Sequence, residues 1–108
     1  MVTAKKNDRP EIVVDKIHNG WTFGRVKYHS RTYRYTIKNF IDPSVFGINK
    51  GCISKLYISN RYGELAAYDR GWIKKPRSDV AKTVYRAILR RYDRGMPDNL
   101  KQIWLETL

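Results

Sequence analysis

A chain of 108 residues suits one domain, and its single cysteine, Cys52, cannot form an internal disulfide framework. Twenty-two Lys and Arg against ten Asp and Glu leave a formal net charge of +12, an excess that favours phosphate backbones, acidic protein faces or anionic lipid. No apolar run approaches the roughly 20 residues of a membrane span. Met1-Val2-Thr3-Ala4-Lys5-Lys6 lacks the apolar core of a secretory signal, so a cytoplasmic setting is expected.

Residues 1–10 have no periodicity and read as a flexible basic arm, with residues 11–108 as a single domain. Residues 11–18 form the first predicted strand. Asn19-Gly20 is a hairpin signal, because a type I′ turn needs positive φ at both central positions, and residues 21–28 pair back. In that register His18 faces Trp21, Ile17 faces Thr22 and Val13 faces Val26. One face then carries Val13, Ile17, Val26 and Tyr28. The other carries Ile12, Val14, Lys16, His18, Trp21, Phe23, Arg25 and Lys27, a mixture of apolar and basic groups. His29-Ser30-Arg31 turns the chain. Residues 32–39 then alternate, with Tyr33, Tyr35 and Ile37 set against Thr32, Arg34, Thr36 and Lys38.

A connector around Asp42-Pro43 follows, the residue before proline being pushed out of the helical region. Residues 53–59 alternate again, with Ser54, Leu56 and Ile58 on one side and Ile53, Lys55, Tyr57 and Ser59 on the other. Asn60-Arg61-Tyr62-Gly63 is a turn signal, and residues 64–70 return antiparallel. Residues 71–77 read as a linker. Ser78 is a predicted N-cap, with Asp79 in the first turn where its charge suits the dipole. Residues 79–94 have helical spacing. Val80, Val84, Ile88 and Tyr92 recur every four residues, beside Ala81, Tyr85 and Leu89, and Val80, Val84 and Ile88 are expected to be buried on the sheet. Gly95 and Pro97 end the helix. A short final helix over 99–107 would present Leu100, Ile103, Trp104 and Leu108. The predicted fold is α+β: an antiparallel meander of about five strands, with the C-terminal helix and the short final helix packed on one face.

Phe46-Gly47-Ile48, then Gly51-Cys52-Ile53-Ser54-Lys55-Leu56, then Tyr68-Asp69-Arg70-Gly71-Trp72 resemble a small uncharacterised domain family of Firmicutes, their phages and other mobile elements. Its members share an FGI…G.ISKL.I run followed by YDRGW and a helix. The resemblance spans about residues 33–92, so the first thirty or so look like an addition. Cys52 stands where many members are expected to have Arg. The resemblance implies a fold and a phage-like setting, and carries no catalytic residues.

Lys82, Arg86, Arg90 and Arg94 also recur every four residues, and Arg91 adds to them. Positions four apart share a helix face, where like charges repel by a few tenths of a kcal/mol per pair unless anions relieve them. Only Asp79 and Asp93 oppose these cations on the predicted helix. The ridge is either an anion-binding array or a solvated face. Trp72, Lys74, Lys75 and Arg77 immediately precede it, and aromatics interleaved with cations suit base stacking and phosphate neutralisation. Trp72 is better read as an anchor between helix and sheet. Arg25, Lys27, Arg34 and Lys38 form a second basic patch. Tyr33, Tyr35, Tyr57 and Tyr62 offer a stacking face, although strand tyrosines are more often core and rim.

Catalysis has little support. His18 and His29 stand in or beside different strands, no His/Cys/Asp cluster has metal spacing, and no phosphate-loop motif appears. Asp42, Glu64 and Asp69 would converge as a nuclease carboxylate cluster only by tertiary accident. Asp69-Arg70 is better read as a structural ion pair or corner, and Cys52 as a packing residue. No cofactor or metal is expected. The sequence points to non-enzymatic, charge-driven nucleic-acid binding, to DNA or RNA, with low sequence specificity because no recognition-helix motif is present. The alternative is a phage-encoded inhibitor or modulator of a host complex, such as an anti-CRISPR protein acting on a Cas nuclease. Being basic, such an inhibitor would seek an acidic protein face or a bound guide RNA. No membrane partner is expected, and the oligomeric state is left open.

Overall fold

A computed structural model describes residues 9–39, 47–48 and 52–92. The chain runs β1 (Glu11–His18), β2 (Trp21–Tyr28), β3 (Arg31–Asn39), β4 (Ile53–Asn60), β5 (Gly63–Asp69), β6 (Trp72–Lys74) and α1 (Asp79–Tyr92). The strands form one sheet in the order β1-β2-β3-β4-β5-β6, each antiparallel to its neighbour. This is the expected α+β meander, with six strands in place of five. The added strand, β6, lies inside the stretch predicted as a linker. It pairs Trp72 with Tyr68 and Lys74 with Ala67, and three residues are too few to display a period. The predicted final helix, and residues 93–94 of the predicted main helix, lie outside the described residues.

Local chemistry accounts for the turns. Asn19 and Gly20 adopt φ of 53° and 83°, as a type I′ loop requires. The next hairpin uses His29 and Ser30, at 52° and 63°, so Arg31 already belongs to β3. Arg70, at φ 55°, makes the corner between β5 and β6. Its N–H donates to the Ser54 carbonyl at 3.0 Å, and the Asp69 N–H donates to the Gly71 carbonyl at 2.9 Å. The Asp69 carboxylate stands 3.6 Å from the Arg70 guanidinium and 3.8 Å from Lys55 Nζ. The YDRGW stretch is thus a structural corner. At the helix start, Ser78 Oγ accepts from the Ala81 N–H at 3.0 Å, the N-cap bond expected there.

The core lies between one sheet face and α1. Val26, Tyr33, Tyr35, Ile37, Leu56 and Ile58 meet Val84, Ile88 and Tyr92 there. Trp72 bridges the two layers, its ring 5.2 Å from Tyr68 and 5.4 Å from Tyr85. Cys52 is fully buried. Three expectations about burial need correction. Val80 is 40% exposed, and the buried helix residues are Ala81, Val84, Ala87, Ile88 and Tyr92. In β1 the register slips between Val14 and Lys16. Asp15 is the extra residue of a bulge, which flips the strand beyond it. Ile12, not Val13, therefore faces Val26, and Val13 faces Arg25. A second slip between Lys38 and Asn39 turns Ile53 into the core and lets Ser54 Oγ donate to the Lys38 carbonyl at 2.9 Å.

Tyr35 and Tyr92 tie the layers together through a 2.7 Å bond between their hydroxyls. Burial raises both phenol pKa values, because the anion is poorly solvated there. Their folded values exceed the unfolded value of about 10. This contribution to stability is therefore complete below about pH 10 and is lost as pH rises further, where the unfolded chain sheds the protons first. Urea denaturation at increasing alkaline pH is expected to show this decline. Tyr35→Phe should be less stable at neutral pH but lose less on going alkaline. Parallel pH profiles for the two proteins would contradict the assignment.

Candidate nucleic-acid interface

The helix ridge is accessible. Lys82, Arg86, Arg90 and Arg91 are all exposed, with Lys82 and Arg86 on the side of α1 away from the buried Val84. Among the described residues, no carboxylate lies within ion-pair distance of Lys82, Arg86 or Arg90. Arg94 lies outside the described residues. The segment before the helix joins the ridge. Lys74, Lys75, Arg77 and Lys82 line one open groove of about 950 Å³ with Trp72, Ile73, Pro76 and Glu64. Lys74 is partly committed there, since its Nζ donates to the Glu64 carbonyl at 2.7 Å.

The second patch lies on the other side of the molecule, on the sheet face that α1 leaves open. The ladder registers arrange this face in rows. His18, Trp21, Lys38, Lys55 and Asp69 form one row. Lys16, Phe23, Thr36, Tyr57 and Ala67 form the next, and Val13, Arg25, Arg34 and Ser59 a third. Lys27 lies beyond, opposite Thr32. The four predicted cations therefore do share a face, but they are not equivalent. Arg25 is engaged by Asp15 in a bidentate pair at 2.7–3.0 Å. That hydrogen bonding holds the Asp15 carboxyl below its ordinary pKa. Arg34 sits directly across from Arg25. Lys38 lies over the Trp21 ring at 5.9 Å.

The tyrosines follow the core-and-rim reading and do not assemble as a stacking face. Tyr33 and Tyr35 are buried in the core, Tyr57 is on the open face, and Tyr62 is 78% exposed at the β4–β5 turn. The aromatic cluster that does assemble is Trp21, Phe23 and Tyr57. Trp21 and Tyr57 have centroids 6.4 Å apart and planes inclined by 27°. Lys55 stands 5.7 Å from the Trp21 centroid, and Lys16 stands 6.0 Å from that of Phe23. Sequence reading placed Trp21 and Phe23 together on a basic face. It had no means of adding Tyr57, whose place depends on the β3–β4 register. Among the described residues, no three His, Cys, Asp or Glu side chains are grouped to hold a metal ion, and no helix is long and apolar enough to cross a membrane.

An antiparallel α+β meander, with six strands and one helix among the described residues and basic groups on both outer surfaces, is the class of protein that these observations define. Residues 20–95 match the family described as Domain of unknown function (DUF7678), and the chain belongs to that family. The match begins upstream of residue 33, so β2 is part of the family domain, while β1 precedes it. No curated protein and no solved structure matches the chain.

Proposed function

We propose that the protein binds nucleic acid, DNA or RNA, through charge and without catalysis. One observation carries this reading: Lys82, Arg86 and Arg90 stand exposed with no acid partner among the described residues, continuous with the groove that holds Lys75 and Arg77. Such a ridge is destabilised by self-repulsion unless an anion lies along it. Residues four apart on a helix are spaced by about 6 Å, a scale similar to that of successive phosphates, so neighbouring side chains reach neighbouring phosphates with little strain. The contacts this predicts are to backbone, and they position without specifying sequence.

Fluorescence anisotropy over a salt series tests it. If about four to six phosphates are neutralised, log K should fall with log salt at a slope of roughly −4 to −5 on duplex DNA. Arg86→Glu combined with Arg90→Glu should flatten the slope and weaken binding alike for all sequences. Unchanged binding in that variant would leave the ridge as a solvated face. The resemblance of the FGI, ISKL and YDRGW runs favours a Firmicutes phage or mobile-element setting, in the cytoplasm. That setting supports the second reading, an inhibitor of a host defence ribonucleoprotein such as a Cas nuclease. It takes first place if the protein binds no nucleic acid at low salt. A pull-down with and without nuclease treatment separates the two.

A further inference from the structure

We propose that the open face of the sheet is a stacking platform for the unpaired bases of a single-stranded nucleic acid, with Trp21 and Tyr57 as its centre. The inference deepens the nucleic-acid reading and rests on it, but uses a surface opposite the helix ridge. Phe23 is 37% exposed, and Trp21 and Tyr57 are half-buried. They surround the small side chain of Thr36 in a shallow hollow of about 330 Å³, near the lower end of ligand-site volumes, about 300–1,000 Å³. Three large aromatics in neighbouring positions of a solvent-facing sheet leave part of their ring surface open to a ligand.

The surrounding charge identifies the occupant. Lys16, Lys38 and Lys55 each hold an ammonium about 6 Å from one of these rings. Among the described residues, Lys16 and Lys38 have no carboxylate within ion-pair distance, while Lys55 shares Asp69 at a long 3.8 Å. Aromatic faces bordered by cations match a strand whose bases are free to stack and whose phosphates run alongside. A duplex fits this surface less well, since its base faces are already stacked and only edges and phosphates are offered.

The lysines now lie over ring faces that a base would take, so binding is an exchange. An exposed cation–π contact is worth roughly 2- to 5-fold in an equilibrium constant. A stacked base is worth roughly 5- to 150-fold. The exchange therefore favours the base, and the released ammonium is within reach of its phosphate.

The test compares labelled oligothymidylate, oligouridylate, an abasic strand of equal length and a duplex, by anisotropy at one salt concentration. The wild-type protein should bind the two base-bearing strands more tightly than the abasic strand. Trp21→Ala should lower affinity for the base-bearing strands roughly 5- to 150-fold and leave the abasic strand and the duplex unchanged, while Trp21→Phe should retain most of the affinity. Equal wild-type affinity for base-bearing and abasic strands, or equal weakening of both in Trp21→Ala, overturns the platform while leaving charge-driven binding standing. No binding to any of the four overturns both. Should Trp21→Ala fail to fold, cross-linking the wild-type protein to a 5-bromouracil strand decides the matter. Adducts at Trp21 or Tyr57 support the platform, and adducts confined to α1 refute it.

Discussion

Val84→Asp is expected to unfold the protein at neutral pH. Val84 is fully buried between α1 and the sheet. Its removal forfeits about 1.5–3 kcal/mol of apolar burial. The new carboxylate would sit in an apolar layer beside Ile88 and the sheet, at a further cost of several kcal/mol. Domains of this size are stable by only about 5–15 kcal/mol in all. Val80→Asp provides the contrast on the same helix. Val80 is 40% exposed and lies in the first turn, where a negative charge is favoured by the dipole, so its effect should stay within about 0.5 kcal/mol. Far-UV circular dichroism and urea denaturation of the two variants check the pair. Equal damage from both would mean that α1 packs by a different face.

Gly24→Ala is the second large effect. Gly24 lies in the middle of β2, where glycine otherwise weakens a strand. A methyl group built on it would collide with the Val13 carbonyl oxygen and with the end of the Tyr35 ring. Neither neighbour yields easily. The carbonyl belongs to β1, and the Tyr35 hydroxyl is held by Tyr92 at 2.7 Å. Displacing the ring would break that buried bond, costing about 1–3 kcal/mol, in addition to about 1–3 kcal/mol of overpacking. A denaturant midpoint well below that of the wild type is expected. Combining Gly24→Ala with Tyr35→Val should cost less than the sum of the two changes, since the shortened side chain makes room. Strict additivity would show that the ring is not the obstacle.

Features with a strong local cause were legible in the sequence. Asn19-Gly20 announces its turn, Ser78 its cap, and the alternation in β3 and most of β4 shows their buried faces. What was hidden depends on the partner strand or on geometry that accumulates along the chain. Ile12, Val13 and Val14 are all apolar, so no alternation reveals which of them turns inward past the Asp15 bulge. Val80 lies between the buried Val84 and Ala87 round the helix, so spacing alone could not show that this first-turn residue is 40% exposed. The basic ridge was visible because a helix brings its members together from local sequence alone. Trp21, Phe23 and Tyr57 become neighbours only when β3 is laid between β2 and β4, and that register is a tertiary fact.

The neighbour-to-neighbour strand order has a consequence for biosynthesis. Each ladder can close as soon as its second strand emerges from the ribosome, and short closures cost the least chain entropy. The sheet can therefore close before α1, the last described element, has emerged to cover it. During that interval the face holding Ile37, Leu56 and Ile58 is uncovered, a condition that promotes aggregation in growing chains. Mutual repulsion between strongly cationic nascent chains opposes it. The net charge of +12 thus bears on the unfinished molecule as well as on any ligand.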